Sequence, residues 1–314
     1  MISYFKKWKK YLPVIGIGLF VYILFKVNIT NILIEIKNTN IYFLILAVII
    51  TFLMMITETT KWFSIARFQN IKIPFKEALK INMIDNYYGF ITPSKLGAVI
   101  RAEYLKKYTE DHFGKGFFNF VIDKIMDLSS LLFIAIIFSY NFRNRLNLPI
   151  SFFIILFFLF ISSTLFFIKK ERGKIVLRMF YKRLIPENLR SQAKSNFESF
   201  YDHVPKKRYF ILFFILNSLN WFVNYLVVYF IGLSLGINLS FIYYVSIMPL
   251  ATLVSLIPIS VAGLGTREAS LISLFGLFDI ASAKVFSMSL IGLFIAGIIP
   301  AIIGARFAFK KRLE

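Results

Sequence analysis

Long uncharged apolar runs, separated by short basic stretches, set the rhythm of this chain. Residues 11–25 carry no charge and follow Lys6, Lys7, Lys9 and Lys10, with Pro13 placed where a helix begins. A signal peptide would need a small-residue cleavage site next; Lys26 and Asn28 stand there instead, which predicts a retained first span. Residues 41–57 are a second uncharged run, 117–140 a third that holds Asp123, Lys124 and Asp127, and 146–168 a fourth. Residues 209–266 contain no charge at all, enough for about two crossings at about 1.5 Å per residue, with a turn expected at 232–240. Residues 264–278 form a short or discontinuous segment, and 285–305 the last span. The pattern predicts an all-α polytopic transmembrane helix bundle of about seven to eight spans. It is expected to be one integral membrane domain over 1–314, with helices broken or re-entrant near 84–100 and 258–278.

Composition agrees. Hydrophobic residues make up 58% and aromatic residues 18%, against 17% charged, more apolar surface than a soluble chain of this length can hide. That excludes a soluble enzyme, a secreted disulfide scaffold and a disordered chain. The absence of cysteine removes disulfides, thiolate metal sites and cysteine nucleophiles, and His112 and His203 are in no ligand-type spacing. No metal and no cofactor is expected. The net charge of +21 suggests nucleic acid until the charges are placed: 30 of the 37 Lys and Arg fall on one side of the expected spans and 5 on the other. This predicts a multi-pass protein of the cell membrane with both termini cytoplasmic. The basic residues then lie beside anionic headgroups, and no nucleic-acid partner is expected. The even number of crossings requires 264–278 to traverse. The loop 169–208 is expected to be cytoplasmic and basic, with Ile175, Leu177, Met179, Phe180 and Leu184 on an amphipathic helix or hairpin that Pro186 interrupts. No stretch outside the membrane is long enough for a catalytic domain, so no catalytic residue is assigned.

Chemistry concentrates in three places. Asn119, Asp123 and Asp127 recur at i, i+4 and i+8, one stripe of a helix, and Asp127 falls about 15 Å below the surface. A carboxylate at that depth costs roughly 2.5–3.5 kcal/mol against lipid, so the stripe must face protein or water. It is either a polar path for a substrate or internal glue neutralised by Lys124 or an arginine from elsewhere. The second place is 78–105. Asp85, Asn86, Tyr87 and Tyr88 precede Gly89, Thr92-Pro93-Ser94-Lys95-Leu96-Gly97 breaks the backbone, and a helix with Arg101 and Glu103 follows. Thr92 or Ser94 is expected to cap that helix, whose N–H groups, with Lys95 and Arg101, would face a phosphate. The third is broken at Pro258, Gly263 and Gly265 and continues as Thr266-Arg267-Glu268. Arg267 is an anion clamp there, or a partner for a carboxylate such as Asp127. The second and third segments resemble each other, a weak sign of repeats flanking a transport site. Asn217, Asn220 and Asn224 share one helix face, Glu58 and Lys61 end the second span, and Trp62 and Trp8 read as interfacial anchors.

These three segments, in this order, resemble the lysylphosphatidylglycerol synthase transmembrane-region family, also described as flippase-like. The likeness runs over nearly the whole chain. Thr92-Pro-Ser-Lys-Leu-Gly97 with Arg101-Ala102 stands where the family has T-P-G-R-L-G-E and R-A. Asp123-Lys124-Ile-Met-Asp127 stands for E-R-x-x-D, and Pro258 to Glu268 for P-G-G-x-G-x-R-E, with Ala98, Val261 and Ala262 departing from the pattern. The resemblance implies the membrane half of aminoacyl-phosphatidylglycerol synthases, associated with moving the modified lipid between leaflets, without the synthase domain. The expected function is therefore translocation or presentation of a phosphate-bearing lipid, anionic or lipid-linked, with no enzymatic step. Lys95, Arg101, Arg267 and Glu268 would be at the headgroup, with Asn119, Asp123 and Asp127 along its path. Partners are membrane lipids and a possible separate lipid-modifying enzyme. The rivals are a small-solute or ion transporter, a scaffold for a lipid-modifying partner, and a polyprenyl-phosphate glycosyltransferase. The last would need outer-loop carboxylates, where the sequence offers only Glu35 and Asp279.

Overall fold

The structure is a computed structural model, and it describes residues 12–110, 113–140, 142–146, 150–167, 169–172, 190–201, 204–257 and 263–310. Among these the secondary structure is helical throughout, with no strand. α1 (Leu12–Val27) and α2 (Ile29–Lys37) meet at a bend of 78°. The bend sits at Asn28, whose φ is +72° and whose side chain accepts the Thr30 N–H at 3.0 Å, capping α2 as it ends α1. α3 (Ile41–Phe68) is 28 residues long, about 42 Å, and is capped by Asn40 through the Tyr42 N–H. One face of α3 exposes Ile41, Ile45, Ile49, Phe52 and Ile56, as a lipid-facing surface should; the other buries Ala47, Thr51, Met55, Thr59 and Trp62.

After α3 come α4 (Phe75–Phe90), a 3₁₀ stretch (Pro93–Val99), α5 (Ile100–Leu105), α6 (Phe113–Tyr140), the single turn α7 (Arg143–Leu146), α8 (Ile150–Phe167) and α9 (Arg190–Phe200). The second half runs through α10 (Tyr209–Ser234), α11 (Phe241–Ser255), α12 (Thr266–Gly276), α13 (Ser282–Gly292), a π-helical stretch (Leu293–Ile298) and α14 (Ile299–Lys310). The main core lies where α10, α11, α12 and α13 meet, around Tyr225, Ile231, Tyr244, Ile247, Phe275 and Val285. Of the basic loop, the apolar members Ile175, Leu177, Met179, Phe180 and Leu184, and Pro186, lie outside the described residues, as do Trp8, His112, His203 and Pro258.

Three described helices are long and apolar enough to cross a bilayer alone (Ile41–Phe68, Tyr209–Ser234 and Ser282–Phe309), or four if the bent α1–α2 pair is one span, so the expected seven to eight is not established. At both expected breaks the chain reverses. α4 runs up to Gly89, and the chain turns back so that Asp85 meets Arg101 and Gly89 lies against Lys95 and Ala98. Gly97 makes the turn possible, because a Cβ there would overlap the Tyr88 carbonyl oxygen. The second break does the same. Ser255 sits beside Gly263, the Tyr244 and Phe275 rings are 5.3 Å apart and those of Tyr243 and Phe278 4.9 Å. α12 therefore returns along α11, and the two pack as a hairpin.

Candidate functional site

The ionic centre forms between the first hairpin, α3 and α6. Asp123 and Asp127 lie one turn apart on α6. Lys61 reaches them from α3, with Nζ 2.8 Å from Asp127 Oδ1 and 3.5 Å from Asp123 Oδ1, and donates to Asn217 Oδ1 on α10 at 3.2 Å. Arg101 bridges from the hairpin: Nη2 is 2.8 Å from Asp123 Oδ2, and Nε 3.1 Å from Asp85 Oδ2. The guanidinium also lies over Trp62 at 4.9 Å and Phe120 at 5.6 Å, a stacking that an ammonium group could not reproduce. Side-chain exposure is 1% for Arg101 and Asp123 and 3% for Lys61, but 21% for Asp127. The centre is sealed at one end and open at the other.

Hydrogen bonds tie this centre to the hairpin. Glu58 Oε2 accepts from Asn82 Nδ2 and Asn86 Nδ2, each at 3.0 Å, and Trp62 Nε1–H donates to Asn82 Oδ1 at 3.1 Å. Trp62, expected as an interfacial anchor, is fully buried because the hairpin covers it. The remaining charges sit on the open side. Lys95 is exposed, and the charges that act on it are Glu58, Lys124, Asp127 and Lys61. Lys124 lies 5.8 Å from the Phe120 ring, and neither lysine forms an ion pair among the described residues. Four carboxylates (Glu58, Asp85, Asp123, Asp127) thus face four cations (Lys61, Lys95, Arg101, Lys124) in one balanced group.

The geometry departs from the sequence expectations in several places. Of the two partners expected to neutralise Asp123 and Asp127, the arginine from elsewhere is present as Arg101, joined by Lys61, and Lys124 pairs with neither among the described residues. The segment after Thr92 is 3₁₀ and then a six-residue helix, and Thr92 does not cap it. Its hydroxyl closes the turn, donating to the Tyr88 carbonyl at 2.8 Å and accepting the Gly97 N–H at 2.7 Å. Asn119 is fully buried and donates to the Trp62 carbonyl and to Gln69 Oε1, each at 3.1 Å, holding α6 to α3. The asparagines share one face of α10, as expected, and that face points at α3: Asn220 accepts from Thr57 at 2.8 Å, and Asn224 lies 3.1 Å from the Met54 sulfur.

Arg267 and Glu268 form a separate group at the second hairpin. Arg267 pairs with its own neighbour, Nη2 to Glu268 Oε1 at 2.9 Å, and not with Asp127. Ser289 on α13 donates to the same carboxylate oxygen at 2.7 Å and accepts from Arg267 Nε at 3.1 Å. The other carboxylate oxygen of Glu268 accepts the Gly265 N–H at 2.6 Å, fixing the start of α12. Gly265 has φ of +84°, and a Cβ on it would overlap the Gly16 carbonyl of α1, so no other residue fits. Gly263, at φ +75°, is pressed against Ser255. Glu268 is fully buried, whereas the Arg267 side chain is 23% exposed.

Sequence reading singled out Asp123, Asp127 and Arg101 but placed Lys61, Asp85 and Glu58 at the margin. The signal for Lys61 was present: a lysine seven residues from the end of a 28-residue apolar helix is too deep to be a simple flank.

The comparisons agree with this architecture. Residues 13–304 match the family described as the lysylphosphatidylglycerol synthase TM region. A UPF0104 membrane protein of Pyrococcus horikoshii is 22% identical over 97% of this chain and 98% of its own length. Two UPF0104 membrane proteins of Methanocaldococcus jannaschii are 28% identical over 64% of this chain and 84% of theirs, and 22% identical over 88% of both. A multi-pass helical bundle, the motif-bearing hairpins and a match over almost the full length lead to one assignment: the chain belongs to the lysylphosphatidylglycerol synthase transmembrane-region family of membrane proteins.

Proposed function

We propose that this protein translocates, or presents for translocation, a membrane lipid whose headgroup carries phosphate. The observation that carries this reading is the open side of the ionic centre. Among the described residues Lys95 and Lys124 stand there without ion-pair partners, next to Asp127 and Glu58, while the deeper Lys61, Arg101, Asp85 and Asp123 are paired. A free ammonium in a low-dielectric surround attracts a phosphate strongly, and the nearby carboxylates keep the site from holding it too tightly to release. The headgroup would pass along this polar face while its tails stay in lipid. An apolar groove of about 550 Å³ between α3 and the α13–π segment, lined by Leu44, Ile45, Val48, Ile291 and Phe294, gives an acyl chain room on the same helix. Family membership supports the lipid class. The chain acts without a covalent step, in the cell membrane, with both termini on the cytoplasmic side where its basic segments meet anionic lipid.

The test is leaflet exchange. Purified protein in liposomes with fluorescent phosphatidylglycerol should raise the rate of dithionite-accessible loss well above that of protein-free liposomes. Asp127→Asn should lower the rate at least about tenfold, corresponding to about 1.4 kcal/mol. Exchange no faster than in empty liposomes would refute the reading, and unchanged exchange in Asp127→Asn would move the path elsewhere.

A further inference from the structure

We propose that the chain consists of two structural repeats of opposite orientation, residues 41–140 and 209–310, and that Arg267 is the open counterpart of the sealed Arg101. Each repeat has the same order: a long helix, a helix of half that length, a glycine-broken reversal, a short returning helix and a second long helix. The first helices are 28 and 26 residues long, and the half-length helices 16 and 15. The key side chains keep register. Gly97, Arg101 and Asp123 each precede Gly263, Arg267 and Ser289 by 166 residues. Arg101 bonds Asp123, and Arg267 bonds Ser289, both across 22 residues. Hairpin register also carries over: Gly89 lies against Lys95 and Ala98 in one, and its counterpart Ser255 lies against Gly263 in the other.

The contacts between repeats fix their relation. Along α3 and α10, Met54 meets Asn224, Thr57 meets Asn220 and Lys61 meets Asn217, so the two first helices run antiparallel. The other contacts are reciprocal. α4 lies on α14 and the π-helical stretch before it, where Gly304 abuts Met83 and Gly297 abuts Phe90. α11 lies on α6, where Ser246 donates to the Phe138 carbonyl at 2.9 Å and Leu250 packs with Ala135. Each half-length helix therefore packs on the closing helix of the other repeat. Antiparallel first helices with exchanged contacts describe a two-fold axis across the bundle, lying in the membrane plane if α3 and α10 span it. The two hairpins then enter from opposite faces.

The repeats differ where function would need them to. Asp85, which seals Arg101, has Ala251 as its counterpart, and Asp123 has Ser289. Among the described residues Arg101 is closed off by two carboxylates, while Arg267 has one, from its own neighbour, and remains 23% exposed against 1%. On the lipid reading above, these are two stations for one headgroup, one toward each leaflet; the duplication itself stands without that reading.

The chain has no cysteine, so single cysteines report without background. Lys72 and Lys107 flank the first hairpin, and Asn238 and Ala281 the second; all four are exposed. Each is replaced by cysteine and treated with a membrane-impermeant maleimide in intact cells and in inside-out vesicles. Lys72→Cys and Lys107→Cys should label from one face only, and Asn238→Cys and Ala281→Cys only from the other. Labelling of all four from one face, or of either pair from different faces, would overturn the inverted repeat. For the station, Ser270→Cys places a thiol one turn beyond Arg267. An anionic methanethiosulfonate should react at least about threefold faster than a cationic one, and the preference should vanish when Arg267→Gln is added. Equal rates with Arg267 present would overturn the open station. Both arms read out independently of lipid exchange, so failure of transport and failure of this inference are distinguishable.

Discussion

Arg101→Met is expected to lower unfolding stability by about 3–5 kcal/mol, the scale for removing one member of a buried ion pair. The guanidinium is 1% exposed and touches Asp85 and Asp123 at once. Its loss leaves Asp123 with Lys61 alone and Asp85 with no ion-pair partner among the described residues. Arg101→Lys should recover only part of the stability. One ammonium cannot span two carboxylates 38 residues apart in sequence on two helices, nor stack on Trp62 and Phe120. The triple variant Asp85→Asn/Arg101→Met/Asp123→Asn should be more stable than Arg101→Met alone, because no uncompensated charge remains. Thermal unfolding in detergent micelles measures all three. A melting midpoint for Arg101→Met within about a degree of wild type would show that the pairs contribute little.

Lys61→Met is the second large effect, also about 3–5 kcal/mol. Lys61 is the only cation within 4 Å of Asp127 among the described residues, and it also reaches Asp123. Without it, two carboxylates one helical turn apart repel each other across an apolar surround. Adding Asp127→Asn removes one of those charges, leaves Asp123 to Arg101 and should restore part of the loss. The double-mutant cycle should give a coupling of about 1–3 kcal/mol. Additive effects would mean that the 2.8 Å contact is not energetically coupled.

Much of this site was legible along the chain, because a buried charge is conspicuous in an apolar run. Asp123 and Asp127 announced themselves by depth and by helical spacing, and the glycine and proline breaks around Gly97 and Gly265 announced reversals. The pairing was not legible. Lys61 meets Asp127 across 66 residues and Arg101 meets Asp123 across 22, and nothing in local sequence distinguishes those partners from Lys124, which is adjacent. Trp62 illustrates the same limit. Near the end of a span it has the composition of an interfacial anchor, but the hairpin folds over it, and it becomes the surface on which Arg101 rests. The packing of the later apolar segments was not legible for a related reason. Residues 241–278 are apolar enough to cross, and only the contacts between Tyr244 and Phe275 reveal that the chain returns. Hydropathy reports the solvent of a segment and is silent about its direction.

The most direct measurement compares headgroups. Proteoliposomes carrying fluorescent phosphatidylglycerol, or an uncharged glycolipid with the same tails and dye, are assayed for leaflet exchange with wild-type protein and with Lys95→Gln/Lys124→Gln. Wild type should move the phosphate-bearing lipid at least about tenfold faster than the uncharged one, and the double variant should lose that preference while keeping the wild-type melting midpoint. Equal rates for the two lipids in wild type, or an undiminished preference in the double variant, would contradict the claim that Lys95 and Lys124 recognise phosphate.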